Sequence, residues 1–321
     1  MSGLAPFSQG FGLNDSGEAV GRTGASITSP FTSQSGSMTA LPLPPGGRSS
    51  GSAEALDVNN SGVAVGDFTN GAGGVQAAKW QNGVATNLGV TATDQSFAWA
   101  INDVGTIVGY GNAQGGGAFM WNPDGSVVKI FNGQAYAINN AGQVAGEVNN
   151  QAVLWQNGIT WNLGYLPGYT SSHAFGINDA GAVVGWSDFG HPEAFVWING
   201  VMTDLGNLSG GTSGVAWDIN DAGQIVGWSF RSGIQNATLW ENGTAQSLSS
   251  LVDPIDPLFG TVFRGATAIN DVGQILVNSS TRAYLLTPEQ QSSVPEPASL
   301  ALLSLGIFGL GFSTRRKQQA A

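Results

Sequence analysis

Trp217-Asp218-Ile219-Asn220-Asp221-Ala222-Gly223-Gln224-Ile225-Val226-Gly227-Trp228 is the stretch whose reading decides the fold. Its first three residues alternate, which places Trp217 and Ile219 on one face of a strand and Asp218 on the other. Asn220 to Gly223 then reverses the chain. The Asn or Asp side chain bonds the backbone two residues on, and Gly supplies the positive φ of a type I turn with a following bulge. Gln224 to Gly227 is apolar nearly throughout, as befits an inner strand covered on both faces. Further on, Ala237 to Trp240 reads as a third strand, Asn242-Gly243 as a two-residue hairpin, and the residues up to Leu248 as a fourth strand.

The same phrase recurs along the chain. Its Asn falls at Asn14, Asn59, Asn102, Asn139, Asn178, Asn220 and Asn270, in steps of 45, 43, 37, 39, 42 and 50 residues. A mean step of about 43 matches four-stranded propeller repeats and is too long for the shorter solenoid repeats. The third strand repeats as Ala-x-x-Trp, ending at Trp80, Trp121, Trp155, Trp197 and Trp240, with Asn-Gly turns at Asn82-Gly83, Asn157-Gly158 and Asn199-Gly200. Fourth strands end in Leu88-Gly89, Leu163-Gly164 and Leu205-Gly206. One such sheet leaves an apolar face uncovered, so neighbouring sheets must stack. The expectation is an all-β chain, a seven-bladed β-propeller of four-stranded repeats over residues 1–286. Two repeats depart from the template: Ser33 stands at the Trp position of the first, and the last has Leu286 there and no fourth strand. Met1 to Pro6 resembles the tail of a fourth strand, so an upstream segment is expected to supply the rest and zip the ring shut.

Composition narrows the function. Charged residues are 10% of the chain, far below the roughly 25% of an ordinary domain. Asn, Gln, Ser, Thr and Gly must therefore cover the surface. A net charge of −11 repels phosphate backbones, which argues against nucleic acid as a partner. The absence of Cys removes disulfide, thiolate and zinc-thiolate chemistry together.

The last residues are of another kind. Residues 287–297 form a polar, Pro-containing linker, residues 298–314 hold no charge, and residues 315–321 begin with Arg315-Arg316-Lys317. Seventeen or so apolar residues meet the lower limit for a helix spanning a bilayer, and the basic cluster stays cytoplasmic by the positive-inside rule. Val294-Pro295-Glu296-Pro297, a short apolar helix and Arg315-Arg316-Lys317 together resemble the PEP-CTERM sorting signal of exported bacterial proteins. That resemblance implies export, transient membrane anchoring through the C-terminal helix, processing by an exosortase-type enzyme, and residence at the cell surface or in an extracellular polysaccharide matrix. The repeats resemble the HAF family of extracellular repeats, in which Ile-Asn-Asp-Ala-Gly and His-Ala-Phe-x-Trp phrases recur, here most nearly His191-Pro192-Glu193-Ala194-Phe195-Val196-Trp197. Family members begin with a secretion signal, whereas this chain begins Met1-Ser2-Gly3-Leu4, so a signal peptide is expected upstream.

Chemistry-bearing residues are sparse, with two His in the chain. His173 and His191, with Asp188 and Glu193 near in sequence, make an acid–base or metal site conceivable; the simpler reading puts both His at repeat positions equivalent to Ser96 or Gly214, facing loops. Each Asn-Asp-x-Gly turn offers at most one carboxylate, which favours turn chemistry over calcium binding. No catalytic, cofactor or metal residue is therefore assigned. Tyr110, Trp186 and Trp228 follow the Gly that ends the second strand and are the candidates for stacking on sugars near a propeller rim, against the plainer reading of blade packing. The expected function is a non-enzymatic surface or matrix protein whose propeller binds polysaccharide or protein. The alternatives are a structural spacer without ligand, or a polysaccharide-acting enzyme carried on a propeller.

Overall fold

Each repeat folds into an antiparallel sheet whose strands lie side by side in sequence order. The fold comes from a computed structural model, which describes residues 7–89, 95–188 and 190–289. Blade 6 shows the plan in strands Ser213–Ile219, Ile225–Arg231, Ile234–Glu241 and Thr244–Ser247. Six sheets have four strands and the seventh, Gly265–Ile269, Ile275–Asn278 and Ala283–Leu286, has three among the described residues. The helical elements among them are two 3₁₀ turns, Ala113–Gly115 and Leu248–Ser250. The chain is a seven-bladed β-propeller.

The turns form as their residues require. Asn82 and Gly83 take φ of 50° and 75°, and Asn242 and Gly243 take 51° and 73°, the left-handed pair of a type I′ hairpin. In the Asn-Asp-x-Gly turns, Gly223 N–H donates to Asn220 O and Asn220 N–H to Gln224 O, at 3.0 and 3.1 Å.

The apolar faces meet between blades. Among the described residues seven buried clusters each join two neighbours: Val226, Ala237 and Leu239 of blade 6, for instance, pack on Phe263, Ala266 and Val277 at blade 7. A separate cluster joins blade 7 to blade 1 through Leu276, Ala268, Ala19 and Phe31. Trp80, Trp121 and Trp240 are buried at these junctions. Each donates its indole N–H to a carbonyl at the outer end of the preceding blade, Pro42, Leu88 and Gly206, at 2.7, 2.8 and 2.8 Å.

At the centre, one bond type repeats around the whole ring. The buried side-chain amide of Asn14 donates to Asn59 O, Asn59 to Asn102 O, Asn102 to Asn139 O, Asn139 to Asn178 O, Asn178 to Asn220 O, Asn220 to Asn270 O, and Asn270 back to Asn14 O, all at 2.9–3.1 Å. Each amide oxygen meanwhile accepts from its own turn, as Asn178 Oδ1 does from Ala182 N–H at 2.9 Å. A parallel circuit runs one residue on, where each backbone N–H donates to the next blade's Asp or Asn side chain, ending with Asp271 N–H to Asp15 Oδ1 at 2.9 Å.

These circuits run through all seven blades and back to the first. The blade 7 to blade 1 seam has further ties, since the Asn278 side chain accepts from Gly10 N–H and donates to Gly10 O, both at 2.9 Å. The strand expected over Met1 to Pro6, and the anchor and tail at residues 298–321, lie outside the described residues. The described residues up to Thr287 form one compact unit.

Asn178→Ala tests the circuit. It orphans the buried Ala182 N–H and removes one of the two donors to Asn220 O, and is expected to cost about 1–3 kcal/mol in urea unfolding. A loss within experimental error of zero would remove the circuit from the forces that hold the ring.

Candidate functional site

The first strands of all blades surround the axis, and each carries a β-bulge at one position. The ladder skips Phe11, Leu56, Trp99, Tyr136, Phe175, Trp217 and Thr267. The residue before the bulge is Ala in six blades and is fully buried in each of those. The bulged residue is only partly buried. Trp217 therefore does not share a face with Ile219, as simple alternation had it. Ile219 packs in the core between blades 5 and 6, while the bulge turns Trp217 towards its counterparts.

The bulge also explains the Gly of the second strand. A Cβ on Gly185 would lie 1.8 Å from His173 O, and one on Gly227 1.9 Å from Val215 O, because the bulged strand brings its carbonyl over that position. Only a residue without a side chain fits there.

Counterparts on adjacent blades touch around the axis. Ring centroids lie 4.9 Å apart for Trp99 and Tyr136, 4.7 Å for Tyr136 and Phe175, and 4.7 Å for Phe175 and Trp217. Around this collar stand the side chains one strand out. Tyr110 pairs in register with Phe97, Trp186 with His173, and Trp228 with Val215. Tyr110 stacks on Trp99 at 6.4 Å, and His173 stacks on Trp186 at 4.3 Å. Tyr110, Trp186 and Trp228 are thus on second strands beside the collar, at the mouth of the channel. Being partly buried, they combine packing with an accessible face.

Blades 1 and 2 give the same mouth a charged side. Arg22 is ion-paired with Glu54, holds Gln9 Oε1 and lies with its guanidinium 5.5 Å from the centroid of Phe11. Glu54 and Asp67 face each other across their strands. Burial, with Glu54 beside it, raises the Asp67 carboxyl to about 7 against the pull of Arg22. In blade 4, Glu147 meets His173 Nδ1 at 2.5 Å and accepts from Tyr136 Oη at 3.4 Å. The His173 hydrogen bond outweighs burial and holds Glu147 below the usual range. Burial and Glu147 together raise the Tyr136 phenol.

His173 therefore occupies the repeat position of Phe97 and Val215, not of Ser96 or Gly214, and it faces the mouth, not a loop. It is joined to Glu147 of the preceding blade and not to His191, Asp188 or Glu193. His191 is exposed, and Glu193 accepts from Asn207 Nδ2 at 2.6 Å. Among the described residues, no group of three or more His, Cys, Asp or Glu side chains is arranged to hold a metal.

The opposite mouth is formed by the seven turns. Asp15, Asp103, Asp179, Asp221 and Asp271, with Asn60 and Asn140 at the equivalent places, line a cavity of about 700 Å³ including its open entrance. Asn60 bridges Asp15 and Asp103, and Asn140 bridges Asp103 and Asp179. A turn judged singly offers one carboxylate, but the ring gathers five. Deeper in the cavity lie Asp57 and Asp218. Asp57 accepts from its neighbour Val58 N–H and from Ile101 N–H of blade 3, at 2.8 and 2.9 Å; Asp218 accepts from Ile219 N–H and from Ile269 N–H of blade 7, at 2.9 and 2.8 Å. Burial lifts them to about 6 and about 7, against the lowering effect of those hydrogen bonds.

Residues 293–317 match the PEP-CTERM protein-sorting motif. All seven sorting-signal residues, Val294 to Pro297 and Arg315 to Lys317, fall within that match and outside the described residues. No curated protein matches the chain. Among solved structures, it is similar to an acylaminoacyl peptidase from Pyrococcus horikoshii, with 11% identity, 94% of this chain and 54% of that one covered, and a TM-score of 0.57. A puromycin-hydrolyzing peptidase from Mycobacterium tuberculosis gives 10%, 92%, 56% and 0.57 in the same order. The propeller domain of the Trilobed protease from Pyrococcus furiosus gives 8%, 88%, 96% and 0.51. The chain spans about half the length of the first two, and at these identities the likeness shows the fold alone. No helix among the described residues is long and apolar enough to cross a membrane.

The buried pair sets a pH dependence. Asp57 and Asp218 ionise near 4 when unfolded and near 6–7 when folded, so the folded chain binds more protons between these values and its stability falls as pH rises through about 7. The urea midpoint is expected to drop between about pH 5 and pH 8, with a smaller drop in Asp218→Asn. A midpoint that climbs over this interval contradicts the assignment.

Proposed function

We propose that this is an exported, non-enzymatic surface or matrix protein whose propeller binds polysaccharide at the aromatic mouth of its channel. The observation that carries the reading is the run of partly exposed rings across blades 3 to 6, from Phe97, Trp99 and Tyr110 through Tyr136 and Phe175 to Trp186 and Trp217. Sugar rings present C–H faces that pack on such surfaces, while Gln9, Glu54 and Glu147 offer polar atoms to hydroxyls. Glycoside hydrolysis needs an acid and a second carboxylate flanking one bond. Here Glu147 is engaged by His173 and Tyr136, and Glu54 by Arg22, an arrangement that suits binding better than proton transfer.

Support for export comes from the matched sorting motif and from the sequence around it. The uncharged run 298–314 followed by Arg315-Arg316-Lys317 suits a transient anchor that an exosortase-type enzyme processes. The resemblance of the repeats to the HAF family fits the same destination.

Glycan-array binding by the full-length protein, repeated with Trp99→Ala and Trp186→Ala, tests the site. Each variant is expected to weaken binding about tenfold, a loss of roughly 1.4 kcal/mol. A folded wild-type protein that captures no glycan would leave a structural spacer as the better reading.

A further inference from the structure

We infer that the ligand at the aromatic mouth carries protonated amines, as in a deacetylated amino-sugar polymer; this rests on reading the mouth as a glycan site. The argument is the imbalance of charge around the rings. Glu54 and Asp67 stand side by side on blade 2, and a single cation, Arg22 of blade 1, serves them both. Arg22 is in addition committed to Gln9 and laid against Phe11. Across the mouth, Glu147 adds a third carboxylate, held below the usual range in the company of His173. Between these acids lie the rings of Phe97, Trp99, Tyr110 and Tyr136, whose faces attract cations through their quadrupole.

A neutral sugar uses the rings and leaves the surplus carboxylate unanswered. An ammonium group uses both: it lies over a ring face and supplies the positive charge that Asp67 lacks. The wider field has the same sign, since the chain carries a net charge of −11 and the opposite mouth adds Asp15, Asp103, Asp179, Asp221 and Asp271.

Titration of the full-length protein with the hexamer of β-1,4-linked glucosamine, its fully N-acetylated form and cellohexaose separates the possibilities. The free-amine hexamer is expected to bind at least about tenfold more tightly than either other glycan. In Asp67→Asn, and separately in Glu54→Gln, the ratio of free-amine to acetylated affinity is expected to fall towards one, with thermal unfolding confirming that each variant is folded. Equal binding of the amine and acetylated forms, or a preference that survives both substitutions, overturns the amine assignment and leaves the glycan site standing. Failure of all three glycans, and of the wider array, overturns both.

Discussion

A buried amide that serves two blades at once is the interaction on which this ring depends. Each Asn directs its oxygen into its own turn and its nitrogen to the carbonyl of the next turn, so local structure and ring closure share one side chain. Each turn carbonyl already accepts from the Gly of its own turn, and the amide of the blade before adds a second, inter-blade donor. The geometry also sets the blade number: the last amide returns to Asn14 O at 2.9 Å, as in the other junctions. Hydrophobic burial supplies the driving force between blades, but it is non-directional. The polar circuit supplies direction.

The bulge in each first strand is the second constraint. It carries one side chain per blade out of the inter-blade core and, in blades 1 to 6, presses a carbonyl against the second strand where Gly stands; in blade 7 Val277 takes that place. One backbone irregularity thus accounts for a conspicuous Gly, for the aromatic collar and for the two mouths of different character. Rings and a few charges surround one end; five turn carboxylates surround the other.

Much of this was legible in the residues and some was not. The turn phrase, its step and the Ala-x-x-Trp motif reveal blades, turns and buried Trp, because each is a local pattern of period two or a φ requirement. Ser33 and Leu286 mark the two atypical blades, and both stand at the Trp position in register, opposite Ala19 and Ile275. Tyr110, Trp186 and Trp228 are detectable as repeated aromatics, but their radial place depends on strand order within the sheet. His173 stands five residues before its turn Asn, as Phe97 and Val215 do, whereas Ser96 and Gly214 stand six before theirs, so its repeat position follows from counting back from the Asn. Its partner Glu147 lies 26 residues away, and the links of the amide circuit span 37 to 50 residues, with 256 at the closing one, distances over which no single sequence displays pairing. A column of Phe, Leu, Trp, Tyr, Phe, Trp and Thr two places before Ile-Asn or its variants was the available signal for the collar.

That column stands apart from the scaffold. The core, the turns and the hydrogen-bond circuit occupy other positions, so the collar itself is written by seven side chains, at 11, 56, 99, 136, 175, 217 and 267, that the remainder of the fold scarcely constrains. Substitution can change those seven letters one at a time while the same ring persists, a freedom that a solid core never grants.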